Sequence, residues 1–94
     1  MSHEAATDEE LKNLPDWKIK DGKLHREFKF ADFQAAVGFI ESVFDQAEKI
    51  NHHPELFNVY NKVTIDLVTH ETGGISKHDI ELAQAIDMVF QAQA

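Results

Sequence analysis

The sequence predicts a small α+β domain with the element order α-β-β-α-β-β-α. Three observations carry this. Apolar residues alternate on both sides of Asp21-Gly22, a dipeptide that favours the tight turn between antiparallel strands. A helical period of apolar residues runs from about Asp32 to Ile50 with no internal proline. A second pair of strand-like segments meets at Asn61 and is followed by a serine placed to cap a last helix. With 94 residues, of which 43% are hydrophobic, the chain makes one domain over 1–94 and has a thin core of its own.

Residues 1–6 are small or polar, carry no periodicity, and are expected to fray. Thr7 or Asp8 can cap a short helix whose first turn holds Asp8, Glu9 and Glu10, where the helix dipole favours anions. Pro15 marks its stop, so it should end by about Leu14. Trp17 to Phe30 then forms the first hairpin. In the central helix, Phe33, Ala36, Val37, Phe39, Ile40, Val43, Phe44, Ala47 and Ile50 cover an arc of roughly 160°, wider than the ~100° stripe that one core requires. A second buried contact, and so a homo-oligomer, is expected. Gly38 lies on the opposite side, where a close approach is possible, and Glu48 borders the arc, from which its carboxylate can turn toward the protein.

Pro54 disfavours helical geometry in the residue before it, so the helix should end by His53. Leu56 to Tyr60 and Lys62 to Thr69 are the second pair of strands, with Val63, Ile65 and Leu67 inward and Thr64, Asp66 and His70 outward. Gly73-Gly74 breaks the pattern, and Ser76-Lys-His-Asp79 resembles a capping box for a helix carrying Ile80, Leu82, Ala83, Ile86, Val89 and Phe90.

Composition removes several classes of function. The absence of cysteine excludes disulfide scaffolds, thiolate metal sites and cysteine nucleophiles, and fits a reducing cytoplasm. A formal charge of -8 repels phosphate backbones, so direct nucleic-acid binding is not expected. No stretch approaches the ~20 apolar residues of a membrane span, and no export signal opens the chain. The expectation is a soluble cytoplasmic protein. Phosphate loops, dinucleotide fingerprints and serine-hydrolase elbows are absent from the sequence.

Six histidines remain to be explained. His3 lies in the tail and is given no role. For His25 and His78 the ordinary reading is a satisfied polar residue or a partner of a helix end. His52 and His53 differ, because two adjacent imidazoles before a proline, at the end of a long helix, diverge from one fixed corner. His70 ends a strand of the same small sheet, so His52, His53 and His70 can converge. Imidazole, with a reference pKa of ~6.5, suits proton transfer near neutrality. Glu48, one turn before His52, can orient one ring. Three histidines and a carboxylate could also hold zinc or iron. Against that, the His-x-x-x-His spacing of a helical metal site is missing, and adjacent histidines rarely both reach one ion.

The run Glu48-Lys-Ile-Asn-His52-His53-Pro54-Glu-Leu-Phe-Asn-Val-Tyr60-Asn-Lys-Val63, followed by Thr69-His70-Glu71 and Gly74-Ile-Ser76-x-x-Asp79, resembles the pterin-4a-carbinolamine dehydratase family. The likeness extends from Trp17 to the terminal helix. It implies a four-stranded antiparallel sheet with three helices on one face, assembled into homodimers through sheet edges or tetramers through the central helix. It implies dehydration of a 4a-hydroxytetrahydropterin to a quinonoid dihydropterin, in tetrahydrobiopterin recycling, with no metal or organic cofactor. By position, His52 and His70 match the family's acid/base histidines, His53 a histidine that orients substrate, and Glu48 the nearby carboxylate. Asn51 and the segment Val68, Thr69, His70 and Glu71 match its pterin-contacting backbone. Leu56, Thr72 and Gly73 depart from residues common in the family, which bears on pocket shape. Animal members also act as dimerisation cofactors of a homeodomain transcription factor, so a protein-binding coactivator is the alternative reading.

Overall fold

The computed structural model of the chain describes residues 4–93. Helix α1 (Asp8–Lys12) opens with a capping box, in which the Thr7 hydroxyl accepts from the Glu10 N–H and the Glu10 carboxylate accepts from the Thr7 N–H. It ends before Leu14, which leaves the helix and buries its side chain in the core. Strands β1 (Lys18–Lys20) and β2 (Lys23–Lys29) flank Asp21 and Gly22, at φ 54° and 76°. Two successive left-handed residues are what a type I′ turn demands, and glycine meets that demand without a Cβ clash.

Helix α2 (Phe33–Ile50) is capped by Asp32, whose carboxylate accepts from the Ala35 N–H at 2.9 Å. Strands β3 (Glu55–Val59) and β4 (Lys62–Leu67) follow, joined through Tyr60 at φ 51° and Asn61. The last helix, α3, spans Lys77–Gln93. One expectation fails between β4 and α3: the strand stops at Leu67 instead of Thr69, and His70–Thr72 forms a 3-10 turn closed by Gly73 at φ 73°. The chain turns there because Thr69 exchanges both backbone hydrogen bonds with Gly74, making a closed loop in place of further sheet pairing.

The four strands form one antiparallel sheet in the order β1-β2-β4-β3. Successive side chains alternate between its faces, so Leu24 and Phe28 of β2 and Val63, Ile65 and Leu67 of β4 share one buried face. The helices cover that face with Ala36, Phe39, Val43 and Ala47 of α2 and Leu82, Ala83 and Ile86 of α3. Phe28, Phe39 and Phe90 pack with ring centroids 4.8–5.9 Å apart. At the rim, Arg26 lies over the Phe28 ring and donates to Asp87, which also accepts from the Trp17 indole.

The wide apolar arc of α2 divides into two parts. Ala36, Phe39, Val43 and Ala47 are buried, whereas Phe33 and Phe44 are 49% and 48% exposed. Gly38 faces the Gln93 amide, but a Cβ there would meet it at an ordinary 3.5 Å, so the packing does not require glycine. Of the terminus expected to fray, residues 1–3, His3 included, lie outside the described residues. Residues 4–6 are paired: Ala5 bridges Ser76, Ala6 donates to the Ile75 carbonyl, and Lys77 donates to the Glu4 carbonyl. This short strap holds the start of α3.

Candidate functional site

The end of α2 separates the two adjacent histidines. Asn51 adopts a left-handed conformation, φ 57°, which asparagine tolerates better than most residues. Its N–H donates to Glu48 O and that of His52 to Ala47 O, the two bonds of a Schellman motif. The reversal ends the helix at Ile50 and sends the rings in opposite directions. The His52 side chain is 16% exposed and turns inward, while that of His53 is 60% exposed.

Each ring meets a carboxylate, and the one ring that Glu48 engages is that of His53. Glu48 accepts from His53 Nε2 at 2.7 Å, not from His52, and at 76% exposure its carboxylate stands in solvent instead of turning toward the protein. His52 Nε2 donates to Asp79 Oδ1 at 2.5 Å. Asp79 is fully buried, and its second oxygen accepts from the Thr69 hydroxyl at 2.9 Å and the Ser76 N–H at 2.8 Å. Thr69 and Ser76 hydroxyls are also bonded to each other at 2.6 Å, and Ser76 Oγ accepts from the His78 N–H. The cap anticipated at Ser76 is therefore present on one side, Asp79 accepting from the Ser76 N–H while the Ser76 hydroxyl serves His78 instead of Asp79, and the same carboxylate also binds a histidine from the corner after α2.

Sequence reasoning missed Asp79 as a site residue, although a signal was present. Asp79 falls on the stripe of Leu82, Ala83 and Ile86, the face that α3 buries. A carboxylate on such a stripe must find donors, because a buried unpaired charge is costly. Its donors come from the loop after β4 and from the corner after α2, linking two parts of the chain.

His70 opens the 3-10 turn one residue beyond Thr69 and is exposed. The loop thus ties it by sequence to the group holding His52, and among the described residues no hydrogen bond joins the two rings. Thr69 uses its backbone N–H and carbonyl within the loop, with Gly74 and Thr72, and its hydroxyl donates to Asp79. Val68 is half-buried and Glu71 exposed on either side of it, while Asn51 is an exposed cap. His78, expected to be a satisfied polar residue or a partner of a helix end, places its ring centroid 5.8 Å from that of His52. His25 fits the ordinary reading: it is buried on β2, with Nδ1 on Asp66 at 2.7 Å and Nε2 on Glu27 at 3.3 Å.

The strap reinforces this region. Lys77 donates to both oxygens of Glu10, 3.1 and 3.0 Å away, joining α1 to the first turn of α3. The Thr7 backbone N–H first, and then Lys77, hold the Glu10 carboxyl below the usual glutamate range. Among the described residues, no three His, Asp or Glu side chains are grouped to hold a metal ion. Nor is any described helix long and apolar enough to cross a membrane.

The family model of pterin 4 alpha carbinolamine dehydratase matches residues 1–89. The chain belongs to that family. A protein of Solibacter usitatus, provisionally named a pterin-4-alpha-carbinolamine dehydratase, is 53% identical over 77 residues, 82% of this chain and 81% of the relative. One from Burkholderia vietnamiensis with the same provisional name is 45% identical over 94 residues, 95% of this chain and 92% of its own. Among solved structures, a transcriptional coactivator/pterin dehydratase from Brucella melitensis superposes with a TM-score of 0.83 at 38% identity, covering 90% of this chain and 97% of that one. A pterin dehydratase-like protein that is a RuBisCO assembly factor of the alpha-carboxysome shares the dehydratase fold, with a TM-score of 0.64 at 19% identity.

Proposed function

We propose that the protein dehydrates a 4a-hydroxytetrahydropterin by histidine acid/base catalysis. The observation that carries this reading is His52, held by a fully buried carboxylate in a chain of the dehydratase family. The reaction breaks the carbon–oxygen bond at C4a. One proton goes to the departing hydroxyl, which leaves as water, and one proton comes off the adjacent ring nitrogen, whose electrons form the new carbon–nitrogen double bond. Two protons move and no electrons are exchanged with a cofactor, so two imidazoles suffice.

Asp79 engages Nε2 of His52 and thereby leaves Nδ1 as the atom that exchanges a proton with substrate. His70 is assigned the second proton transfer, at the other end of the same carbon–nitrogen unit. The exposed pair His53–Glu48 is assigned to orienting the ring, with contacts from Asn51, Val68 and Glu71. The exposed Phe33 and Phe44 of α2 are assigned to contact between copies, giving a homo-oligomer, and a cytoplasmic setting accords with pterin recycling.

The test is dehydration of freshly generated 4a-hydroxytetrahydropterin, with the spontaneous reaction subtracted. His52→Ala and His70→Ala should each lower kcat/KM by roughly 10²- to 10⁴-fold, and His53→Ala should act mainly on KM. No turnover above the spontaneous rate by folded wild-type protein would refute the reading. A second reading, a protein-binding coactivator, draws on the double description of the Brucella protein. It predicts that a His52→Ala, His70→Ala double variant still supports the cellular function, an outcome catalysis forbids.

A further inference from the structure

The face of the sheet turned away from the helices carries a groove of about 580 Å³ between β2, β4 and β3. None of the histidine-site residues lines it. Its floor follows from the strand register: Val59 is opposite Lys62, which is opposite Lys29, and in the next row Phe57, Thr64 and Glu27 are aligned. Phe57 and Val59 are 66% and 54% exposed, so an aromatic ring and an aliphatic side chain lie beside a pair of lysines.

The lysine pair is anomalous in two respects. Like charges directly opposite each other on neighbouring strands destabilise a sheet. Lysines are commonly kept on edge strands to block pairing with other chains, but β2 and β4 are the two interior strands, so edge protection does not account for them. Neither lysine is neutralised by an ion pair among the described residues. The chain has seventeen Asp plus Glu against nine Lys plus Arg. Of the lysines and arginine among the described residues, only Lys23, Arg26 and Lys77 meet carboxylates within ion-pair distance; of the lysines left unpaired, Lys29 and Lys62 are the two that stand opposite each other in the sheet. Two unneutralised cations facing one another beside exposed apolar surface form a site for an anion with an apolar body.

We propose that this groove binds a small amphipathic anion, a flat apolar body with one carboxylate or phosphate head, the head between Lys29 and Lys62 and the body against Phe57 and Val59. Glu27, at the other end of the lining, repels the acidic head from that end and so sets the ligand's direction. The volume lies within the ~300–1,000 Å³ of small-molecule sites. Two lysines on an acidic chain are too few to hold a nucleic acid. A second copy of the chain, stacked on the same face about a two-fold axis, would bring another lysine pair onto the patch and sharpen the repulsion.

The site is tested by following the amide resonances of isotope-labelled protein at low salt while adding 2-naphthoate, its neutral carboxamide, or inorganic phosphate. Saturable shifts should appear with 2-naphthoate at residues 27–29, 57–59 and 62–64, with a Kd on the order of 1 mM or tighter. The carboxamide should bind at least about tenfold more weakly, as should 2-naphthoate to a Lys29→Gln, Lys62→Gln double variant, because the charged contact is lost. Phe57→Ala should weaken 2-naphthoate but leave the shifts caused by phosphate unchanged. Spectra of the variants away from the groove establish that they fold, and the single Lys62→Gln variant provides a milder change. The proposal fails if no saturable shift occurs on this face or if the carboxamide binds as well as the acid. It also fails if phosphate binds as tightly as 2-naphthoate, if the double variant binds unchanged, or if the same resonances move with protein concentration alone, which would make the face a contact between copies. No turnover is read, so the result stands whatever becomes of the dehydratase reading.

Discussion

Asp79→Asn isolates the contact on which the histidine site depends. Asparagine keeps the size of the side chain, and its carbonyl can still accept from the Ser76 N–H and the Thr69 hydroxyl. The other end then offers an amide NH₂ to His52 Nε2, where the carboxylate oxygen had accepted. The imidazole must change its tautomer or turn away. Hydrogen bonds with one charged partner contribute about 1.5–3 kcal/mol, so a loss of about 2 kcal/mol is expected. At roughly 4–8 °C per kcal/mol for a domain of this size, the melting temperature should fall by about 8–16 °C. Asp79→Ala also leaves the buried Ser76 N–H without its acceptor, a further cost of about 1–3 kcal/mol. Its total cost should reach roughly 3–5 kcal/mol, a large share of the ~5–15 kcal/mol that holds a small domain folded. Urea unfolding followed by circular dichroism measures both. An asparagine variant within about 0.5 kcal/mol of the parent, the scatter of neutral surface changes, would refute the reasoning. So would an alanine variant less damaged than the asparagine one.

Two other outcomes follow from the geometry. Phe44→Glu, on the exposed part of the α2 arc, should reduce the mass seen by light scattering while the monomer stays folded, whereas Phe39→Glu should unfold the chain because Phe39 has no exposed surface. A wild-type mass equal to one chain at micromolar concentration would remove the case for an interface on α2. Glu10, whose carboxyl is held below its ordinary range, stabilises the fold above the unfolded-state pKa, and that contribution disappears as pH falls through the folded-state value. The melting difference between wild type and Glu10→Gln should therefore be present near neutrality and shrink in acid, and a difference that grew in acid would contradict the sign.

Alternation, turn residues and caps are local, and they settled the element order from sequence. Asp21-Gly22 sets its own turn, Asp32 marks the start of α2, and the nine residues of its apolar arc include the four that prove buried. The same period could not say that Phe39 packs in the core while Phe33 and Phe44 face outward, since all three share one arc and only the position of the sheet divides it. Nor could local rules end β4 at Leu67, because the closed Thr69–Gly74 loop competes with continued pairing.

The histidine corner divides along the same line. Asn51, His52, His53 and Pro54 mark it in the sequence, because proline disfavours helical geometry in the residue before it, whereas the left-handed turn at Asn51 is seen only in the structure. Which carboxylate meets which ring was decided in three dimensions. Glu48 lies one turn from His52 along the chain, but the reversal at Asn51 rotates His52 away and brings His53 to Glu48. His52 instead finds Asp79, 27 residues further on, and lies beside His78. Sequence spacing reports neighbours along a helix, whereas contacts between the end of one helix and the start of another depend on how both pack on the sheet, which is a property of the whole core.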